Sequence, residues 1–395
     1  MVVLGVLLSV HANADENGVL IEGVYYNLVT ASKTATVTNG GTAYTGAVTI
    51  PATVIWEDIT YDVTSISMEA FKGCGGLTSV SIPGSVAKIG DQAFYNCTGL
   101  TSVTIPDGVT SIGNEAFRNC SNLATVVIGD DVKTIGNSVF YECRKLTALT
   151  LGNHVETIGS SAFYRCYGLK SVTIPRSVTS IGSDAFLQCD YLGAVHITDL
   201  AAWCGVNIGD WEGNPLLYAR HLYLNGGEVK DLVVPDGVET LRWGVFHDCE
   251  GLRTVTIPKS VKTIGGSAFD YCENLTTVNI EGNGTSIGFY AFDHCSNLTT
   301  LNISGSIASF GEYAFQYCNN LNKVDITDLA AWCKTGFNGA YSNPLDYAHQ
   351  LWVNGTKITD LVIPNGVTAI KGGVFSHLTG LKSVSIPSRG CVKSN

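Results

Sequence analysis

Apolar residues recur in one fixed order along most of this chain, with polar residues between them. The unit that begins at Leu100 has apolar positions at Leu100, Val103, Ile105, Val109, Ile112, Ala116, Phe117 and Cys120. The first three are spaced as the inward residues of a short strand, and Pro106 ends that strand because it cannot donate to a strand ladder. One unit cannot bury these side chains alone, so the pattern predicts stacked coils that share a continuous core.

The second half of each unit predicts two further features. Val109 and Ile112 indicate a second, shorter extended segment, and Gly113 permits the bend that follows it. Ala116, Phe117 and Cys120 fit one face of a short helical turn. Each coil therefore combines two extended segments with one compact turn.

Ten cysteines lie at one position of the unit, and they recur every 23 residues within the two runs Cys74–Cys189 and Cys249–Cys318. Thirteen strand starts, from Leu77 to Leu381, follow the same step except at two places. We therefore predict a repeat solenoid of the leucine-rich-repeat type, β-rich with short helical turns and 23-residue coils.

The two exceptions are enlarged coils of 37 residues, at about 198–228 and 327–357. Both contain Leu-Ala-Ala-Trp-Cys and then Asn-Pro-Leu, which indicates that a block of four ordinary coils and one enlarged coil has been duplicated. The pattern predicts a short helix around Leu200 to Cys204, a loop broken at Pro215 and then a strand. Asn225-Gly226 predicts the turn of a hairpin.

A short apolar run at the start of the sequence ends in Ala12-Asn13-Ala14, a pattern typical of a signal-peptide cleavage site. We predict a partial signal peptide there, with a buried strand as the alternative. Residues 15–65 lack the repeat and alternate Val, Ile, Tyr and Thr with glycine-rich breaks. This region is expected to form a small N-terminal β cap, and residues 66–395 the solenoid.

The repeat motif L-x-x-V-x-I-P-x-x-V-x-x-I-G-x-x-A-F-x-x-C resembles the BspA-type leucine-rich repeat. This resemblance implies a surface protein of the kind that adheres to host proteins or other cells. We therefore expect a secreted or cell-surface binding protein that recognises a host protein, another cell or a glycan. The alternative is a structural spacer or self-assembly scaffold without a dedicated ligand.

Charge and motifs exclude several other functions. The net charge is −11, only 14% of residues are charged, and no basic stripe is present, which argues against nucleic acid. No later stretch has 18 consecutive apolar residues, so no transmembrane segment is expected. Seven of the eight histidines are scattered along the repeats without metal-ligand spacing, and no nucleophile elbow, P-loop or C-x-x-C occurs. We predict no enzyme, cofactor, catalytic residue or metal ligand, and a chain that is monomeric.

Two kinds of residue are candidates for a binding surface. The first kind points outward from the strands and forms a face of hydroxyls, namely Ser102, Thr104, Ser171, Thr173, Thr254 and Thr256. A simpler explanation of these hydroxyl residues is that Ser and Thr suit the solvent-facing positions of a strand. The second kind is Trp211 and Tyr341, aromatic residues in Gly- and Asn-rich loops of the enlarged coils, where exposure is expected. Trp203 and Trp332 fit apolar helical patterns and are expected in the core.

The ten repeat cysteines are expected to form a buried column of thiols, because Cys in an apolar core behaves as a small hydrophobe. Neighbouring coils would bring their Cα atoms near the disulfide range, so pairing stays open as an alternative. Cys391 lies outside the column.

Overall fold

The computed structural model describes residues 16–387 and 393–394. The signal-peptide prediction for residues 1–14, and Cys391, lie outside the described residues. The chain divides into two compact units, Met1–Val155 and Glu156–Asn395.

In the first unit, strands β1 to β6 precede the first coil and the later strands belong to the repeats. The strands are β1 Glu16–Ile21, β2 Val24–Val29, β3 Thr34–Thr38, β4 Gly46–Thr49, β5 Thr53–Trp56, β6 Ile59–Ile66, β7 Leu77–Ser81, β8 Lys88–Ile89, β9 Ser102–Ile105, β10 Ser111–Ile112, β11 Thr125–Ile128, β12 Thr134–Ile135 and β13 Ala148–Thr150. Strands β1, β2 and β3 are antiparallel, and β6 continues the sheet in parallel from β3 to β8.

The second unit contains the remaining repeats and both enlarged coils. Its elements are β14 Thr157–Ile158, β15 Ser171–Ile174, β16 Ser180–Ile181, β17 Ala194–Ile197, α1 Leu200–Cys204, β18 Asn207–Ile208, α2 Leu216–Ala219, β19 Leu222–Leu224, β20 Gly227–Glu228, β21 Asp231–Val233, β22 Thr240–Leu241, β23 Thr254–Ile257, β24 Thr263–Ile264, β25 Thr277–Ile280, β26 Asn283–Ile287, β27 Thr300–Ile303, β28 Ser306–Phe310, β29 Lys323–Ile326, α3 Leu329–Trp332, β30 Gly336–Phe337, α4 Leu345–Ala348, β31 Leu351–Val353, β32 Thr356–Lys357, β33 Asp360–Val362, β34 Ala369–Ile370, β35 Ser383–Ser385 and β36 Lys393–Ser394.

Each coil contributes one longer and one shorter strand to two parallel sheets, as the apolar spacing predicts. In the second unit the longer strands form a sheet of order β21-β23-β25-β27-β29-β31-β32, and the shorter ones a sheet of order β22-β24-β26-β28-β30. Thr254 pairs with Thr277 and Thr277 with Thr300, so the register between coils equals the repeat period. The repeat region is therefore a β-solenoid.

In most ordinary coils, a buried phenylalanine and a buried cysteine lie in the turns that follow the shorter strand. The rings of Phe246, Phe269 and Phe292 stack at centroid distances of 5.2 and 5.3 Å with nearly parallel planes. The thiol of Cys272 donates to the backbone carbonyl of Phe246 at 3.1 Å, and Cys295 does the same to Phe269. A small apolar side chain with one weak donor suits this position, because it satisfies a buried carbonyl of the coil before it.

The segment around each Phe is a pair of turns in the ordinary coils, and the described helices all lie in the enlarged coils. The residues two before and two after Phe292, Tyr290 and His294, have φ of +55° and +52°. This left-handed backbone directs amides toward the next coil, so that Tyr290 N donates to Glu312 O and His294 N to Gln316 O. The inter-coil hydrogen bonds offset the strain of the left-handed residues.

Twelve cysteines, from Cys74 to Cys333, are buried thiols, and ten of them are the repeat cysteines, which confirms the predicted thiol column. Burial raises the pKa of Cys97 to about 12 and that of Cys272 well above its usual range. A protonated, enclosed thiol is a poor nucleophile. We expect a Cys391→Ser variant to resist iodoacetamide under native conditions and to take up label at all twelve thiols in denaturant, as measured by intact mass. Rapid labelling of the native protein would contradict a closed thiol column.

Candidate functional site

The first enlarged coil is held to the following coil by two polar anchors. Asp199 caps helix α1, since its carboxylate accepts the Ala202 amide at 3.0 Å, and this cap places Trp203 in the core. The Trp203 indole donates to Val245 O at 3.0 Å, and the Asn214 amide donates to Gly244 O at 2.8 Å. Both carbonyls lie in the turn before Phe246, so the insertion is fixed beside that turn.

The second enlarged coil repeats these anchors. Trp332 donates to Val374 O at 3.2 Å and Asn343 to Gly373 O at 2.8 Å, with the same separations in sequence as in the first coil. Trp203 and Trp332 are both buried, as predicted. The duplication inferred from sequence therefore extends to the way each insertion is attached.

The segment after Pro215 is not the broken loop predicted from sequence. Helix α2 begins at Leu216, directly after Pro215, whose φ of −64° suits a first helical turn. The missing N–H of proline is not needed there, and the Asn214 side chain accepts the Leu216 amide instead. The hairpin prediction is confirmed, because β19 and β20 are antiparallel and Asn225 and Gly226 both have positive φ.

A cavity of about 400 Å³ opens beside this insertion. It is lined by Trp211, Glu212, Leu217, Arg220, His247, Asp248, Tyr271 and Glu273. Trp211 is 52% exposed, and its ring meets the His247 ring edge-on at a centroid distance of 6.3 Å. The insertion thus supplies one wall of the cavity and the turns of the next two coils supply the floor.

The floor contains a buried group of charges. His247 is only 3% exposed, and its Nδ1 lies 2.6 Å from Asp248 Oδ2 and its Nε2 3.5 Å from Asp270 Oδ2. Neither ring nitrogen makes a well-directed hydrogen bond, so the imidazole and the two carboxylates attract each other through their charges. Burial by itself favours the neutral imidazole, but the two carboxylates outweigh it and raise the pKa of His247 to about 9. His247 is therefore cationic at neutral pH.

Aromatic rings continue from this floor along the following coils. Tyr271 stacks on His294 at 4.1 Å, and His294 lies 4.4 Å from Tyr317 between ring centroids. Arg220 closes the other side of the cavity, with its guanidinium 3.5 Å from Asp248 Oδ1 and in contact with Glu250. Burial, and then the charge of Asp270, raise the pKa of Asp293 to about 6.

The second enlarged coil does not reproduce the lining of this cavity. At a separation of 129 residues, Trp211 corresponds to Ala340, Arg220 to His349 and His247 to Ser376. The anchors of the two insertions are alike, whereas the side chains around the cavity differ. The residues that line the cavity are therefore not needed to attach an insertion to the next coil.

The structure places the predicted surface residues on separate features. Ser102, Thr104, Ser171 and Thr173 are exposed on β9 and β15, and Thr254 and Thr256 are half-buried on β23. Trp211 and Tyr341 are exposed, as predicted, and lie in the two insertions, where Tyr341 meets Tyr313 at 6.2 Å. The strand hydroxyls do not line the cavity, which Trp211 does line.

Sequence reasoning did not single out His247, Asp248, Asp270, Asp293 or His294. Each follows Phe by one or two residues in its own coil, in a position that carries polar residues in most coils. The available signal was that Asp or His fills these positions in three successive coils.

The parallel strand sheets and the buried Leu, Val and Ile pattern define a leucine-rich repeat protein. The chain belongs to the BspA type leucine-rich repeat family, whose model matches residues 64–193, 220–341 and 349–393 in six copies. No curated protein matches the chain. Within the described residues, no helix is long and apolar enough to cross a membrane.

Three solved structures of bacterial proteins are similar to this chain in part of their sequence. A leucine-rich cell surface protein of Faecalibacterium prausnitzii is 24% identical, covers 96% of this chain and 97% of that chain, and has a TM-score of 0.42. A leucine-rich repeat protein of Bacteroides ovatus is 25% identical over 81% of this chain and 99% of that chain, with a TM-score of 0.41. A leucine-rich repeat protein of T. pallidum is 22% identical over 63% of this chain and 86% of that chain, with a TM-score of 0.33.

Proposed function

We propose that this protein is a secreted or cell-surface binding protein and that its ligand enters the cavity beside Trp211. The observation that carries the proposal is the exposed Trp211 ring standing over the buried His247–Asp248 pair in a cavity of about 400 Å³. That volume lies within the range of small-ligand sites. An exposed indole beside convergent charged groups is the arrangement of a recognition site rather than of a core.

The side chains around the cavity favour a sugar ring as the bound group. A sugar has an apolar C–H face, which suits the Trp211 indole, and a rim of hydroxyls, which suits charged donors and acceptors. Arg220 donates, while Glu212 and Glu273 accept. The acidic rim and the net charge of −11 disfavour anionic glycans. We therefore propose a neutral glycan, carried by a host protein or by another cell.

The exposed strand hydroxyls at Ser171 and Thr173 are proposed as secondary contacts for the rest of such a ligand. They are small and uncharged, so they offer hydrogen bonds but no anchor of the size that dominates binding energy. Trp211 is the anchor in this proposal.

The test is a screen of neutral glycans against wild-type protein and the Trp211→Ala variant. Because hot-spot side chains contribute about 2 kcal/mol or more, we expect the variant to bind the best glycan at least about 30-fold more weakly. Alanine at this site matches Ala340 of the second insertion, so the fold should tolerate it.

Phe289→Ala is the matched control, because Phe289 is also an aromatic residue that is 52% exposed but does not line the cavity. Its affinity for the same glycan should stay at the wild-type value. Equal affinity of wild type and Trp211→Ala would remove the cavity from the proposal. Absence of any glycan or protein ligand, together with concentration-dependent self-association, would support the scaffold alternative.

A further inference from the structure

Three side chains near the cavity floor converge on one point. Asp270, Asp293 and His294 each offer an atom that could bind a metal, and these atoms all lie within 4.8 Å of one another. His294 Nδ1 is 3.2 Å from Asp293 Oδ1 and 4.0 Å from Asp270 Oδ1. Ligand atoms of one tetrahedral zinc ion lie about 3.4 Å apart, given bond lengths of about 2.0–2.2 Å. The observed separations lie on either side of that value.

A second observation is that two buried atoms of this group have no hydrogen-bond partner. Asp270 is 6% exposed, yet no donor forms a hydrogen bond with its Oδ1. His294 Nδ1 also has no hydrogen-bond partner. A buried carboxylate oxygen without a donor is strongly unfavourable, because desolvation is not compensated. Both atoms belong to the converging group, so one cation placed among them would satisfy both.

We propose that Asp270, Asp293 and His294 bind one divalent transition-metal ion of the zinc class. Two carboxylate oxygens and one imidazole nitrogen suit Zn²⁺ and similar ions, whereas Ca²⁺ and Mg²⁺ select oxygen ligands alone. Three protein ligands also leave one position of a tetrahedral ion for water or a ligand group. This inference does not depend on glycan binding at the Trp211 cavity.

The repeat itself brings the three ligands together. Asp270 and Asp293 are 23 residues apart and occupy the same position of adjacent stacked coils. His294 has a φ of +52°, and its amide donates to Asp293 Oδ1 at 2.8 Å, which fixes the orientation of that carboxylate. On the far side, His247 lies against Asp270 Oδ2 and leaves Oδ1 for the ion. Hydrogen bonds of this kind hold metal ligands in place.

A second acidic group in the same unit provides a comparison. Asp184, Asp210 and Glu212 also converge, but all three are half-buried. Asp210 Oδ1 already accepts the amides of Asp184 and Gly213 at 3.1 and 2.7 Å. This group has no imidazole and no buried atom without a hydrogen bond, so it serves as a control.

The experiment is isothermal titration calorimetry of the tag-free full chain, freed of metal with EDTA and titrated with Zn²⁺ or with Ca²⁺. We expect one Zn²⁺ per chain and no comparable binding of Ca²⁺. His294→Ala should lose that binding or weaken it at least about tenfold. The controls His349→Ala, an exposed histidine, and Asp210→Asn should bind as the wild type does, with folding of each variant checked by circular dichroism.

X-ray absorption at the zinc edge of the wild-type protein tests the same site without any variant. The expected spectrum has nitrogen and oxygen neighbours only, including one imidazole. A sulfur neighbour at about 2.3 Å would show that a cysteine binds the ion and would overturn the proposal. Absence of Zn²⁺ binding, or equal binding by folded His294→Ala, would overturn it as well.

Discussion

Replacing Phe269 by alanine is expected to lower the free energy of unfolding by about 3–5 kcal/mol. Phe269 is fully buried and stacks between Phe246 and Phe292, so its removal leaves a cavity with a ring on each side. The neighbouring rings cannot close that space, because strands β23 and β25 hold the coil spacing. Urea unfolding of the variant and the wild type, followed by circular dichroism, measures the difference.

Phe289→Ala is the matched control for this prediction. Phe289 is the same residue type, only 20 positions away, but it is 52% exposed. Its removal should change the free energy of unfolding by about 0.5 kcal/mol or less. If the two variants lost the same stability, the stacked phenylalanines would not be the principal packing contact of the coil.

The second large effect is expected from His247→Ala. This change removes the cation between two buried carboxylates, those of Asp248 and Asp270, and leaves their charges without compensation on that side. Breaking a buried ion pair from one side lowers the free energy of unfolding by about 3–5 kcal/mol. The measurement is urea unfolding at neutral pH in the presence of EDTA, so that bound metal does not contribute.

The double variant His247→Ala/Asp270→Asn separates charge from packing. Removing one of the two stranded carboxylates should restore at least about 1 kcal/mol relative to His247→Ala alone. His349→Ala, at an exposed position, should have little effect. An equally small loss for His247→Ala would mean that water or side-chain movement compensates the buried carboxylates.

The local pattern of apolar and turn-forming residues was sufficient to predict the strands and turns of the coils. The spacing of Leu100, Val103 and Ile105 predicts a short strand with one buried face, and all three are buried in the structure. Asn225-Gly226 predicts its hairpin because few residue pairs accept positive φ twice. These features depend on backbone sterics and on side-chain burial within one coil, and both can be recognised in a short stretch of sequence.

Pro215 shows where local pattern was insufficient. Proline disrupts the interior of a helix but is favoured in its first turn. The sequence spacing did not distinguish these two cases. The outcome depended on Asn214, which caps the Leu216 amide with its oxygen while its nitrogen binds Gly244 O in the next coil. A contact with a residue 30 positions away therefore holds the side chain that caps the helix.

By itself, the sequence determined the period, the inward residues and the position of both insertions, because stacking repeats the same burial in every coil. Only the tertiary structure decided that Trp211 stands over His247, and that Asp270, Asp293 and His294 converge. Trp211, His247, Asp270 and Asp293 belong to four different coils, and only Asp293 and His294 are adjacent in sequence. They become neighbours because parallel coils stack in register, which turns a separation of 23 residues into direct contact.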